Sequence, residues 1–201
     1  MNRPFRPTRS LVRKYNRSGP RYTSYPTAVD FGTDFGPPDY ATCLEEAATR
    51  DESWSLYVHV PFCRKRCHFC ACAVVPTQAY DKVADRYVDA LEREVALVSR
   101  HLGSRRKVSQ LHLGGGTPTY LEPDALARVY DMLEPHFELE SDAEVSIELD
   151  PRVTDAEHLD VMVSRGVNRV SLGVQDFDAL VQDQIGRHQS MAMTRNLIEQ
   201  S

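Results

Sequence analysis

The sequence predicts an α/β fold in which a parallel sheet is assembled from four successive βα units, as part of a TIM-like barrel. Three observations carry this. Runs that alternate apolar and polar residues, as a half-buried strand does, recur over residues 55–60, 108–113, 143–149 and 168–174. Each is followed by a stretch with helical apolar spacing, and strands alternating with helices give parallel sheets with right-handed crossovers. The chain has 201 residues, whereas an eight-unit barrel takes about 250. The expectation is therefore the N-terminal part of a longer protein, whose fourth strand is left as an unpaired edge.

Taken in order, residues 1–50 read as an irregular extension, with turn chemistry at Gly19-Pro20, Gly32 and Gly36-Pro37-Pro38. A short helix over 39–50 is expected, capped by Asp39. Residues 51–201 form the core. Leu56, Val58 and Val60 make one face of the first strand, which Pro61 ends. Tyr80, Ala84, Tyr87, Val88, Leu91, Val95, Val98 and Leu102 recur as one face of a long helix stopped near Gly103. The strand 108–113 runs into Gly114-Gly115-Gly116-Thr117-Pro118, and a helix over 123–137 follows. The third strand ends at Asp150-Pro151, a helix over 155–165 closes at Gly166, and helices are expected over 176–186 and 190–200.

Composition narrows the function. At 41% hydrophobic and 26% charged residues the chain is of ordinary globular type, with no apolar run of membrane-spanning length. A net charge of −5 argues against general nucleic-acid binding. Cysteines without a secretory segment fit a reducing, cytoplasmic setting. Charge is uneven: Arg3, Arg6, Arg9, Arg13, Lys14, Arg17 and Arg21 all precede the first acid, Asp30. Pro4 and Pro7 oppose the amphipathic helix of a transit peptide.

Four of the five cysteines lie between positions 63 and 72, spaced C-x3-C-x2-C with a further C-x-C. Three thiolates this close can each hold a different iron of one iron–sulfur cube, leaving the fourth iron open to another ligand. A zinc site drawing on His59, His68 or Cys72 is the alternative, but no second knuckle follows. Cys43, isolated upstream, reads as a small apolar residue.

Strand phase points to the same place. The residues opposite the apolar faces are Tyr57 and His59, Gln110 and His112, Ser146 and Glu148, and Ser171 and Gln175. In a curved parallel sheet these face the concave side, and Tyr57, Glu148 and Gln175 sit near C-terminal strand ends, where ligands collect. The three glycines form neither a Walker loop nor a dinucleotide fingerprint. They permit close backbone approach to a ligand, or simply a tight turn.

The spacing C-x3-C-x2-C with Phe69 before the third cysteine resembles the radical S-adenosylmethionine (SAM) superfamily. Arg21-Tyr-Thr-Ser-Tyr-Pro26, Tyr57-Val-His-Val-Pro-Phe-Cys63, Cys72, Gly114-Gly-Gly-Thr-Pro-Thr-Tyr-Leu121, Ser146-Ile-Glu-Leu-Asp-Pro151 and Gly173-Val-Gln-Asp-Phe177 together resemble its oxygen-independent coproporphyrinogen III oxidases. The resemblance implies a partial barrel of radical SAM type that decarboxylates coproporphyrinogen III propionates to vinyl groups, giving protoporphyrinogen IX in haem biosynthesis. An electron from a low-potential donor cleaves cluster-bound SAM, and the resulting 5′-deoxyadenosyl radical takes a hydrogen atom from a propionate.

Position by position, it implies that Cys63, Cys67 and Cys70 ligate a 4Fe-4S cluster, and that Phe69, Gly115 and Glu148 contact the SAM bound to it. Tyr57 borders that SAM and is the candidate catalytic residue beside the propionate. Gly116, Thr117, Gln175 and Arg187 match positions that contact a second SAM, Cys72 is close to the cluster without ligating it, and the protein is a monomer. Substrate carboxylates could also be held by Arg13, Lys14, Arg17 or Arg21. Two other readings stand beside this one: a haem chaperone of the same superfamily, and an inactive chain that only assembles a cluster.

Overall fold

The computed structural model of the chain describes residues 7–16 and 30–201, the side chains of Asp81 and Lys82 aside. The chain divides into two units, Met1–Tyr40 and Ala41–Ser201. In the first, helix α1 (Arg9–Tyr15) is capped by Thr8, whose hydroxyl accepts from the Leu11 amide. Arg13 and Lys14 lie in its last turn, where positive charge suits the carbonyl end of a helix. Arg3, Arg6, Arg17 and the motif Arg21–Pro26 lie outside the described residues. Helix α2 (Pro37–Ala48) begins earlier than expected, because prolines at the first two helical positions need no amide donors. Asp39 consequently sits inside the first turn and accepts from the Gly36 amide at 2.8 Å rather than capping from outside.

In the second unit β1 (Trp54–Val60) leads through Pro61 into the cysteine loop. Strands β2 (Phe62–Cys63) and β3 (Val75–Pro76) pair in parallel and close the base of that loop. The Val75 amide donates to Pro61 O at 2.7 Å and the Thr77 amide to Cys63 O at 2.9 Å. Helix α3 (Tyr80–Leu102) follows and stops at Gly103, where φ is +72°. Then come β4 (Arg106–Gly115), a 3-10 turn over Pro118–Tyr120, α4 (Pro123–Asp131), β5 (Phe137–Leu149), α5 (Ala156–Ser164), β6 (Arg169–Leu172), α6 (Ala179–Ile185) and α7 (Met191–Gln200).

The sheet is parallel throughout, in the order β1-β4-β5-β6. Val58, Val60, Leu111, Leu113, Val145, Ile147 and Leu149 form its buried outer face. They join Ala84, Val88, Val95 and Leu102 of α3 and Leu126 and Val129 of α4 in one core. Burying each such side chain contributes about 1.5–3 kcal/mol. The polar phase of each strand is left on the other face, as the alternation predicts.

Three further elements depart from expectation. Helix α4 ends at Asp131 and Phe137 is already the first residue of β5, because Pro135 lacks an amide and biases Glu134 away from helical geometry. The third strand therefore begins at Phe137, not Ala143. Its register jumps from Val108↔Leu139 to Gln110↔Glu144. That irregularity shifts the pleat by one residue, so that Val108 and Leu111, three apart, are both buried. Finally, β6 ends at Leu172, and Val170, expected to be packed, is 37% exposed on this edge strand.

Candidate functional site

A cavity of about 360 Å³ opens at the C-terminal ends of the strands. Cys63, Cys67, Cys70 and Cys72 line it from one side, with Phe69, Lys65 and Arg66. Gly115, Gly116 and Thr117 from the end of β4, Glu148 and Asp150 from β5, and Gln175 and Arg187 from beyond β6 line the other. Four βα units thus each deliver residues to one place, as parallel sheets do at their carboxyl edge.

The cysteine loop is held at both ends. Gly116 donates its amide to Val60 O at 2.8 Å, binding the glycine loop to the end of β1. A Cβ on Gly115 would stand 2.8 Å from the His59 ring, and one on Gly116 2.6 Å from Phe62 O. The glycines are therefore needed for close packing against the cysteine loop as well as for an open cavity wall. At the far end the His68 amide donates to Ile185 O at 2.9 Å, and His68 Nδ1 donates to Gln184 O at 2.6 Å.

Thr117 Oγ1 lies 3.4 Å from Cys63 Sγ. Burial pushes the Cys63 thiol up; Thr117 draws it back, and Cys70, Asp150 and Cys67 push it up again. Such thiols lose their protons when a metal supplies the opposing charge. Among the described residues no three His, Cys, Asp or Glu side chains converge closely enough to hold a single metal ion. The cysteines stand instead around a shared cavity, and a cube held through three corners needs them so. The donor set fits an iron–sulfur cluster.

Glu148 reaches the cavity from the last turn of β5, and its Oε2 accepts from the Gly115 amide at 3.2 Å. His112 Nε2 approaches Oε1 of the same carboxylate at 3.8 Å, while its Nδ1 shares a 2.7 Å hydrogen bond with Ser146 Oγ. Gln175 is held at φ 66°, a left-handed conformation costly for a residue with a Cβ. Tyr57 is not among the cavity-lining residues. It lies one pleat below, 58% exposed, stacked on His112 with ring centroids 5.8 Å apart. Burial, then Glu148 and Cys72, push its phenol up, so it stays protonated.

Asp150 and Arg152 were not singled out by sequence reading, although an acid ending a strand with an arginine two residues on was a usable signal. Arg152 Nη2 lies 2.5 Å and Arg187 Nη1 3.2 Å from the same Asp150 oxygen. Burial would raise the Asp150 carboxyl, but the Arg152 hydrogen bond and the Arg187 charge outweigh it and hold it below the ordinary carboxylate range. Arg187 is 7% exposed. Its five guanidinium N–H donors meet Asp150 Oδ2, Cys67 Sγ at 4.0 Å, Gly173 O at 2.6 Å and Gln189 Oε1 at 3.0 and 3.2 Å.

A family model for the radical SAM superfamily matches residues 57–200. Oxygen-independent coproporphyrinogen III oxidases from Escherichia coli K12 and Pseudomonas aeruginosa are 47% and 45% identical to the chain, over 90% and 94% of its length. The matches cover 38% and 41% of those relatives, so the chain spans about two fifths of their length. A solved Escherichia coli coproporphyrinogen III oxidase, described as a radical SAM enzyme, superposes with a TM-score of 0.84 at 41% identity. That match covers 94% of this chain and 41% of the other.

Proposed function

Because the chain belongs to the radical SAM superfamily, whose members use a 4Fe-4S cluster and SAM, we propose that it serves the oxidative decarboxylation of coproporphyrinogen III to protoporphyrinogen IX. The observation that carries this reading is the shared cavity of Cys63, Cys67 and Cys70 with Gly115, Glu148 and Phe69 at the strand ends. Bound there, the cluster and SAM would supply reductive cleavage of the sulfonium and a radical able to take hydrogen from a propionate. The setting proposed is cytoplasmic, as a monomer fed by a low-potential electron donor. No helix among the described residues is long and apolar enough to cross a membrane.

In this reading Cys63, Cys67 and Cys70 hold the cluster, and Cys72 lies beside it without ligating. Phe69 gives SAM an apolar wall. The Gly115 carbonyl and the Glu148 carboxylate accept from its amino and ribose groups. Glu148 is pre-set for this, since Oε2 is anchored on the Gly115 amide. Tyr57 borders the reacting propionate. His59 Nε2 faces Ala73 O at 3.0 Å and so carries hydrogen, which leaves Nδ1 to accept from the Tyr57 hydroxyl at 2.9 Å. The Tyr57 oxygen can then accept from a protonated carboxyl group.

A second SAM is proposed against Gly116, Thr117, Gln175 and Arg187. Arg187 would have to exchange one of its protein partners to pair with that carboxylate. The test is anaerobic reconstitution with iron and sulfide, followed by dithionite and SAM with and without coproporphyrinogen. The expected result is 5′-deoxyadenosine together with vinyl product. SAM cleavage without vinyl product would favour a chaperone role, and failure to assemble a cluster would overturn the proposal.

A further inference from the structure

The cavity wall behind Cys67 has a charge arrangement that the proposed contacts to the cluster-bound SAM do not use. Two guanidinium groups bear on the same sulfur: Arg187 Nη1 lies 4.0 Å from it, and Arg152, on the same cavity wall, interacts with it electrostatically. One carboxylate lies between them. Asp150 takes Arg152 Nε at 2.9 Å and Nη2 at 2.5 Å, and Arg187 Nη1 at 3.2 Å. The arrangement is fixed from behind. Gln189 Oε1 accepts twice from Arg187, and its own amide group donates to Thr194 Oγ1 at 2.8 Å at the start of α7. Gln182 of α6 donates to Gln189 O at 2.6 Å and accepts from the Gln189 amide at 3.0 Å. Among the described residues no arginine hydrogen-bonds the sulfur of Cys63 or Cys70; Arg66 Nη2 meets Cys70 only at its carbonyl oxygen, at 3.1 Å.

We infer that Asp150, Arg152 and Arg187 form a device that sets the reduction potential of the metal centre through Cys67. This rests on the cluster-binding reading above. Reduction adds one electron and no proton to the centre, so it increases the negative charge shared onto the thiolate sulfurs. Two cations and N–H donors aimed at one of those sulfurs stabilise the reduced form more than the oxidised one, in a wall poorly screened by water. Asp150 is a positioning residue here. It prevents the two like charges from separating and moderates their sum to a net single positive charge.

The test is an EPR-monitored redox titration of the anaerobically reconstituted protein, with dithionite as reductant and without substrate. Arg152→Gln should make one-electron reduction about tenfold less favourable, a fall of about 59 mV. Arg152→Lys, which keeps the charge, should recover most of the shift. An unchanged potential in Arg152→Gln at normal iron content would overturn the inference. Should that variant load no iron, pulsed EPR on the unsubstituted protein grown with 15N-arginine decides the matter. Modulation from guanidinium nitrogen is expected, and its absence would remove the device. A protein that binds no cluster at all fails the functional proposal instead.

Discussion

A Cβ placed on Gly116 would stand 2.6 Å from the carbonyl oxygen of Phe62, so the glycine loop and the first turn of the cysteine loop touch backbone to backbone. Neither can move without the other. Gly116→Ala must push the two apart, and overpacking of this kind costs about 1–3 kcal/mol. Because Phe62 immediately precedes Cys63, the expected result also includes less iron per chain after reconstitution. Gly103→Ala is the control: it has φ +72° but open space around it. It should lose about 1 kcal/mol from backbone strain alone and keep its iron. Urea denaturation and iron analysis read both outcomes.

Asp150 predicts an acid-sensitive contribution. Its folded pKa is depressed, so its stabilisation is present above the unfolded value, about 3.9, and is lost as pH falls through the folded value. Asp150→Asn leaves Arg152 and Arg187 facing each other in a largely buried wall, which costs about 3–5 kcal/mol when one partner of a buried pair is removed. The difference in urea stability between the two proteins should be full near neutrality and shrink below about pH 4. A difference independent of pH would show that Asp150 acts by packing alone.

Much of this site was legible because its residues sit where simple periodicity puts them. The alternation of β1 and β4 separates Tyr57 and His112 from the core, and the C-x3-C-x2-C spacing gathers three thiols in one loop whatever the surrounding fold. What the sequence hid depends on contacts between distant segments. Arg187 meets Asp150 only because α6 folds back onto the cysteine loop through His68 and Gln184. The start of β5 was obscured by apolar residues such as Met132, Leu133 and Phe137, which continue the helical spacing of α4 past its true end. Pro135 was the local signal that the helix stops. The irregular register between β4 and β5 breaks the two-residue period itself, so no alternation could reveal it.

Tyr130 offers a test of the core rather than the site. Its hydroxyl is buried and has no hydrogen-bond partner among the described residues, and burial pushes its ionisation far up. An unpaired buried hydroxyl costs about 1–3 kcal/mol. Tyr130→Phe removes the polar atom and keeps the ring, and should raise unfolding free energy by about 1 kcal/mol. A loss of stability would mean that the hydroxyl is satisfied through water.

The four clustered cysteines should divide three to one. Cys63→Ser, Cys67→Ser and Cys70→Ser are each expected to abolish the charge-transfer absorbance of the reconstituted protein. Cys72→Ala is expected to retain both the absorbance and the iron. Loss of the cluster in Cys72→Ala would make it a ligand and close the vacancy that SAM requires.

Tyr87 ties α3 to β1, and it predicts the alkaline behaviour of the fold. Its hydroxyl donates to His59 O at 2.6 Å, in a half-buried position beneath the sheet edge. Burial, with a smaller push from Glu94 and then Tyr57, takes its pKa from 10.0 up to about 12. For a phenol raised in the folded state, the stabilisation is whole below the unfolded value and disappears as pH climbs from 10.0 through about 12. Tyr87→Phe loses the hydrogen bond, about 0.5–1.5 kcal/mol, but has nothing to ionise. The unsubstituted protein should therefore be the more stable of the two at pH 8, and the gap should narrow or reverse above pH 10. Thermal unfolding at a series of alkaline pH values measures this, and a constant gap would show that Tyr87 stays protonated and hydrogen-bonded throughout.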